Sequence, residues 1–249
     1  MAQRRRSLRL VTPSNPQNPK APKDPKDPKD LKDLKDLKAL KDLKKNLQPM
    51  KIILASNSPR RRELLAGLNI DFQVKVLKGI DESYPADLPV DDVAAYISKN
   101  KAAAYKNILS PDELVITADT IVVLGDRVLG KPASPKEASE MLHALSGQTH
   151  KVITGVCLTT CEQQRTFSVT SEVSFKHLTD DEIDYYIRNY LPFDKAGAYG
   201  IQEWIGYVGV TGLKGSYFNV MGLPVQRIYQ ELVDMIGWEK LIHGDKALP

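Results

Sequence analysis

The sequence predicts an α/β fold built on a mixed sheet. Apolar β-branched stretches alternate with amphipathic helical stretches from Lys51 onward, and the strands are of two kinds, short continuous apolar runs and longer segments. At 249 residues and 42% hydrophobic composition, the chain is long enough to bury a core and form one or two domains.

The first strand is the apolar IILA that follows Lys51. It leads through Ser56-Asn57-Ser58 into a helix, PRRRELLAGL, for which Ser58 is a good N-cap and Pro59 a good first residue. FQVKVL at 72–77 reads as a strand. Residues 91–106 set Val93, Ala94, Ile97, Lys101 and Ala104 at helical spacing, an apolar face with Lys101 near its edge. ELVITADTIVVL at 113–124 is continuous and β-branched, as a buried strand should be, and Asp119 reads as the end of its apolar run. A carboxylate at the end of such a strand is a common catalytic placement in α/β proteins.

Ser134 and Pro135 cap and open a helix that runs to about Leu145. Two long β segments follow, near 150–160 and 164–176. Thr179 opens a helix whose first turn, Asp180-Asp181-Glu182, reads as a charged N-terminus and not as a metal cluster. A glycine-rich region over 197–222 precedes a last helix near 223–236.

The formal charge of +4 is unevenly placed. Residues 1–49 carry 14 Lys and Arg against 6 Asp, a net of +8, and the remainder carries 35 − 14 = 21 basic and 31 − 6 = 25 acidic residues, a net of −4. The block after residue 49 therefore gives no support to nucleic-acid binding. Within the first block, residues 22–45 repeat Lys-Asp-Pro and then Lys-Asp-Leu. Proline blocks a helix in the first units. In the later ones a three-residue period sets like charges at i,i+3 and lets the leucines precess around the axis. Residues 1–49 are expected to be a disordered low-complexity extension, with Met50 a candidate natural start and 50–249 the folded domain.

No apolar run approaches the roughly 20 residues needed to span a bilayer, and no apolar segment follows the N-terminal arginines as a secretory signal would require. The expectation is a soluble cytoplasmic protein with neither a membrane nor a nucleic-acid partner. Cys157 and Cys161, spaced i,i+4 in a β segment, are too few for a disulfide framework and are expected in the core.

One local conflict stands out. A helix N-terminus carries partial positive charge, yet Arg60, Arg61 and Arg62 occupy its first turn. The conflict disappears if an anion sits there, because free N–H groups, the dipole and guanidinium groups together suit phosphate. The alternative is a solvated basic turn. The first reading is taken for Arg60 and Arg61, the second for Arg62.

SNSPRR, the Ala118-Asp119-Thr120 triplet, GKP at 130–132, LSGQTHKVITGV at 145–156, DKAGAYGIQ at 194–202 and GSYFNVMGLP at 215–224 together resemble the Maf family of nucleotide pyrophosphatases. The resemblance covers Met50 to about Ile236, with Asn57 a small departure where Gly, Ala or Thr is usual. It implies an elongated, two-lobed α/β fold with a central cleft, related to inosine triphosphate pyrophosphatases. It also implies hydrolysis of nucleoside triphosphates to monophosphate and pyrophosphate, a divalent cation such as Mg²⁺ or Mn²⁺, and a homodimer.

By the same resemblance Asp119 is the acceptor that activates water and also a metal ligand, with Glu82 as a second cation ligand. Lys101 and Lys131 are implied to contact phosphates, beside Arg60 and Arg61 of the helix start. Ser56 and Ser58 lack a His/Asp partner for a nucleophile's role and are read as phosphate hydrogen-bonding and capping groups. From the residues alone, Glu82 is a solvated loop acid and Lys101 a snorkelling helix residue. GDRVLGKP at 125–132 matches a P-loop pattern, but Pro132 stands where Ser or Thr is needed and the segment between the glycines is strand-like. It is therefore rejected as a phosphate cradle.

Arg60, Thr120 and Gln202 match positions where a 7-methyl-GTP branch tends to carry Trp, Gln and Glu. An amide such as Gln202 can donate and accept, as a uracil or thymine edge requires. The expectation is a dTTP/UTP pyrophosphatase, with a 7-methyl-GTP enzyme or a non-enzymatic septation regulator as alternatives.

Overall fold

The apolar segments pair into one seven-stranded mixed sheet in the computed structural model, which describes residues 49–241. The low-complexity extension expected over 1–49 lies, but for residue 49, outside the described residues. The strands are β1 (Lys51–Leu54), β2 (Phe72–Val74), β3 (Glu113–Leu124), β4 (Arg127–Leu129), β5 (Thr149–Thr159), β6 (Gln164–Phe175) and β7 (Val210–Lys214). Their order is β2-β1-β3-β5-β6-β7, with β4 pairing β3 as a hairpin. β1 runs parallel to both β2 and β3, and the other pairings are antiparallel.

The helices are α1 (Pro59–Ala66), α2 (Val90–Ala103), α3 (Pro135–Leu145), α4 (Asp180–Tyr190), α5 (Trp204–Gly209), α6 (Tyr217–Met221), α7 (Val225–Ile236) and α8 (Trp238–Leu241). Local chemistry fixes several starts. Ser134 accepts from the Glu137 N–H at the head of α3. A complete Thr179–Glu182 capping box opens α4. α7 has no side-chain cap and is held by its apolar stripe, Val225, Ile228, Leu232 and Met235.

Period-two alternation along β3 divides the core. Val115, Ile121 and Val123 face one side of the sheet, where α2 and Tyr105 cover them. Leu114, Ile116 and Ala118 face the other side and pack with α1 and α7, while Val122 on the same face joins a second cluster with α3, α4 and Ile205. Thr120 is the position between these two clusters, and Met221 is packed against both. The expected two-lobed arrangement is thus two hydrophobic cores on one sheet face, parted at Thr120.

The structure amends several boundaries. β2 stops at Val74, because the Tyr105 hydroxyl accepts from the Leu77 N–H at 2.9 Å and donates to the Lys75 carbonyl at 2.9 Å, taking over the backbone groups of the expected strand end. Asp119 does not end a strand. The β3–β5 ladder runs through it, from Val115 to Val123. Ala104 lies beyond the end of α2 and is exposed, its place on the buried face being taken by Ser98 and Ala102. Cys157 is buried, but Cys161 is exposed because β5 ends at Thr159. The glycine-rich 197–222 region contains the unanticipated α5, β7 and α6.

Candidate active site

Helix α2 lies almost on the backbone of β5. A Cβ at Gly155 would stand 2.2 Å from the Ala94 carbonyl carbon, so only glycine allows this approach. The Thr117 hydroxyl also donates to the Ser98 carbonyl at 2.7 Å, fixing the helix against β3. Lys101, in the last turn of α2, then reaches the carboxylate of Asp119: Nζ is 2.7 Å from Asp119 Oδ1 and 3.1 Å from Glu82 Oε1. The side chains of Lys101 and Asp119 are only 13% and 14% exposed, whereas Glu82 is 53% exposed. The Lys101–Asp119 contact is therefore the electrostatically strong one, and the Glu82 contact is screened.

The arginines of α1 divide their work. Ser58 caps the helix, and its own N–H donates to Ser56 Oγ at 3.2 Å. Arg61 turns inward: Nε donates to the Gly222 carbonyl at 2.8 Å, Nη1 to the Ala118 carbonyl at 2.8 Å and Nη2 to Thr120 Oγ1 at 3.0 Å. Burial pushes its pKa down while the nearby Asp119 charge pulls it up. Arg60 pairs with Asp194 at 2.9 Å, and Arg62 is exposed as expected. Arg61 thus joins β3 to the α6–α7 turn. A guanidinium has five donors, and three are engaged here.

Two adjoining cavities open over these residues. One, of about 470 Å³, is walled by Ser56, Ser58, Ile80, Glu82 and Tyr105. The other, of about 110 Å³, is walled by Asp119, Thr120, Tyr199, Gln202 and Met221. Arg60, Arg61, Lys101 and Lys131 belong to both walls. All ten candidate residues line this double cleft, with the cationic groups where the compartments meet.

Residues 51–235 match the family model of Maf-like proteins. The chain belongs to the Maf-like family. It is 63% identical over 188 residues to a protein of Phocaeicola vulgatus named dTTP/UTP pyrophosphatase, covering 76% of this chain and 97% of that protein. A protein of the same name from Bacteroides thetaiotaomicron is 57% identical over 187 residues, covering 75% of this chain and 97% of its own length. A HAM1 protein from Coxiella burnetii aligns at a TM-score of 0.41 and 15% identity over 74% of this chain and 99% of its own, a likeness too distant to carry weight.

Within this Maf-like site, the smaller compartment holds an unsatisfied group: Gln202 Oε1 is buried without a hydrogen-bond partner. Such an orphan acceptor costs about 1–3 kcal/mol unless a donor arrives. The Thr120 hydroxyl, by contrast, is engaged with Arg61 and with Thr154 Oγ1 at 3.0 Å. Its place is at the floor, holding the arginine.

The sequence reading left without a role two residues of the cleft wall, Asp194 and Lys195, and two that support them, Glu203 and Tyr186. Asp194 and Lys195 lie within the DKAGAYGIQ stretch, Glu203 follows it and Tyr186 comes from α4. Lys195 Nζ lies 2.7 Å from Asp194 Oδ1 and 3.0 Å from Glu203 Oε1. Burial would raise the Asp194 carboxyl, but hydrogen bonds from Lys195 and Arg60 hold it below the usual range. In sequence Lys195 has one acidic neighbour, Asp194, and Glu203 lies eight positions on, so nothing local marks the three as a cluster.

The rejected P-loop match is a hairpin. Gly125 and Asp126 form the two-residue turn between β3 and β4. Lys131 follows β4 as an exposed side chain of the cleft wall, and the Gly130 carbonyl accepts from the Gly197 N–H at 3.0 Å, tying that loop to the Ala196–Ala198 turn. Among the described residues no group of three or more His, Cys, Asp and Glu converges as a metal cage. The two carboxylates that meet at Lys101 nevertheless fit a hard divalent cation, since Mg²⁺ commonly takes one or two carboxylates and completes its shell with waters and substrate phosphates.

Proposed function

We propose that this chain hydrolyses nucleoside triphosphates, preferring dTTP and UTP, to the nucleoside monophosphate and pyrophosphate in the cytoplasm. Family membership and the name of its relatives support the reaction. Consistent with a soluble enzyme, no helix among the described residues is long and apolar enough to cross a membrane. The observation that carries the proposal is the Lys101 ammonium between Asp119 and Glu82, at the junction of two cavities walled by Arg60, Arg61 and Lys131. A polyanion entering there meets cations on several sides and a carboxylate beside its path.

In this mechanism Asp119 accepts a proton from the attacking water. The water oxygen bonds to the α-phosphorus, the bond from that phosphorus to the α–β bridging oxygen breaks, and pyrophosphate leaves with the electron pair. Arg60, Lys101 and Lys131 neutralise charge on the phosphates, and Ser56 and Ser58 donate hydrogen bonds at the head of α1. Asp119 and Glu82 would hold the divalent cation, which supplies further charge neutralisation at the phosphates.

Base choice is assigned to the smaller compartment. The unpartnered Gln202 Oε1 accepts from N3–H of uracil or thymine, and the amide N–H donates to O4. The test is a panel of canonical triphosphates and 7-methyl-GTP, assayed with Mg²⁺ or Mn²⁺ for the products formed. Pyrophosphate release favouring dTTP and UTP is expected. Release of orthophosphate alone, or a preference for 7-methyl-GTP, overturns the proposal.

A further inference from the structure

A continuous polar chain runs from the phosphate-facing arginine to the loop that carries Gln202. Arg60 Nη1 donates to Asp194 Oδ2 at 2.9 Å, and Asp194 Oδ1 meets Lys195 Nζ at 2.7 Å. The same ammonium lies 3.0 Å from Glu203 Oε1. The second oxygen of Glu203 accepts from the Tyr186 hydroxyl, which in turn accepts from the Gly200 N–H at 3.0 Å. Gly200 and Glu203 bracket Ile201 and Gln202, so both ends of the base-reading segment are tied to one ammonium.

Packing around Lys195 is close. Its side chain is 8% exposed. A Cβ at Gly200 would stand 3.0 Å from Glu203 Cδ and 3.1 Å from Lys195 Cε, so both side chains would have to shift to admit one. A buried ammonium is tolerable only with partners, and two carboxylates supply them. Burial foremost, and then the bond to Glu203, pushes the Tyr186 phenol far up, so it remains a donor throughout the working range of pH.

We propose that Lys195 is a positioning residue that sets base selectivity by holding the Gly200–Glu203 segment, and with it Gln202, against the Arg60–Asp194 pair. The inference rests on the pyrimidine-triphosphate reading above. Lys195 touches neither the reacting phosphorus nor the water in this scheme, and Arg60 bonds Asp194 through Oδ2, the oxygen that Lys195 does not use. Removing its charge therefore loosens base recognition more than phosphate handling.

The experiment compares kcat/KM for UTP, for GTP and for ribose 5′-triphosphate, which lacks a base, in the wild type and in Lys195→Met. The UTP-to-GTP ratio should fall about tenfold, as expected for residues coupled through one network, while the base-free substrate changes by no more than about twofold. Lys195→Arg, which keeps the charge, should restore most of the ratio. If Lys195→Met does not fold because two carboxylates are left facing each other, Lys195→Met combined with Glu203→Gln removes both charges and is measured instead. An equal loss for all three substrates, or an unchanged ratio, overturns the inference. A wild type without preference for UTP over GTP overturns the functional reading itself, which is distinct from a selective wild type whose variant stays selective.

Discussion

Gly155 and Asp119 stand opposite each other across the β3–β5 ladder, and the missing side chain at 155 is what lets α2 deliver Lys101 to the carboxylate. Fold and site share this one contact. Gly155→Ala would drive a methyl into the Ala94–Ala95 backbone, which cannot yield as a flexible side chain would. Overpacking of this kind costs about 1–3 kcal/mol or more. A lower midpoint in thermal denaturation is expected, with a loss of turnover larger than the unfolded fraction explains, since the helix must shift and carry Lys101 away. Wild-type stability in the alanine variant would show that α2 does not rest on this backbone.

Asp119→Asn keeps the shape of the residue and removes the proposed proton acceptor. Turnover should fall by about 10²-fold or more, the usual scale for a positioned base. Nucleotide binding, measured separately by calorimetry, should persist because a negative charge has been taken from the phosphate path. Lys131→Ala should instead raise KM and lower kcat together, since in the proposed scheme its charge meets phosphates both before and during reaction. A variant Asp119→Asn with near-normal turnover assigns the base elsewhere.

Much of this cleft was legible because its residues occur in short strings whose local chemistry is self-contained. Ser58-Pro59 announces a helix start wherever it lies, and an acid within ELVITADTIVVL is conspicuous in an apolar run. What could not be read depends on closure of the chain. Arg61 spends three N–H groups on Gly222, Ala118 and Thr120, partners 57 or more positions away. Asp194-Lys195 gains a partner set only when Glu203 and Tyr186, distant in sequence, close on it. β7 escaped for a different reason: VTGLK is an edge strand with mostly exposed positions and no apolar run to mark it. Asp119 reads as a strand end because catalytic carboxylates are common there, and the Lys101 contact that makes a mid-strand carboxylate tolerable is invisible in the sequence.

Gln202→Glu tests the base edge. The exchange keeps size but replaces the amide N–H with an acceptor, leaving O4 of the pyrimidine against negative charge. A repelled or unpaired buried polar group costs about 1–3 kcal/mol, so kcat/KM for dTTP and UTP should drop roughly 5- to 150-fold. Guanine presents N1–H and an amino group to such a position, so GTP should lose less or gain. A uniform decline across nucleotides would mean that Gln202 supports the loop and does not read the base.

The last prediction concerns acid. His150 is buried beside the cleft wall, with Nε2 at 2.7 Å from the Tyr199 hydroxyl and its ring edge-on to Phe175 and Tyr199. Burial depresses its pKa from 6.5 to about 4. The unfolded chain therefore takes up a proton below pH 6.5 that the folded chain refuses until about pH 4. Above pH 6.5 this group has no effect on stability; from there down to about pH 4 it progressively favours the unfolded state, and below that the penalty levels off. Its full size is roughly 3 kcal/mol. Carboxylates such as Asp194 also weaken the fold in acid, so the comparison must be with a variant that leaves them in place. His150→Gln can still hydrogen-bond Tyr199 and does not titrate. Urea denaturation of both proteins at pH 7.5 and pH 4 should show the wild type losing roughly 3 kcal/mol more than the variant over that interval. Parallel pH profiles for the two proteins would mean that water reaches the imidazole and that it protonates inside the fold.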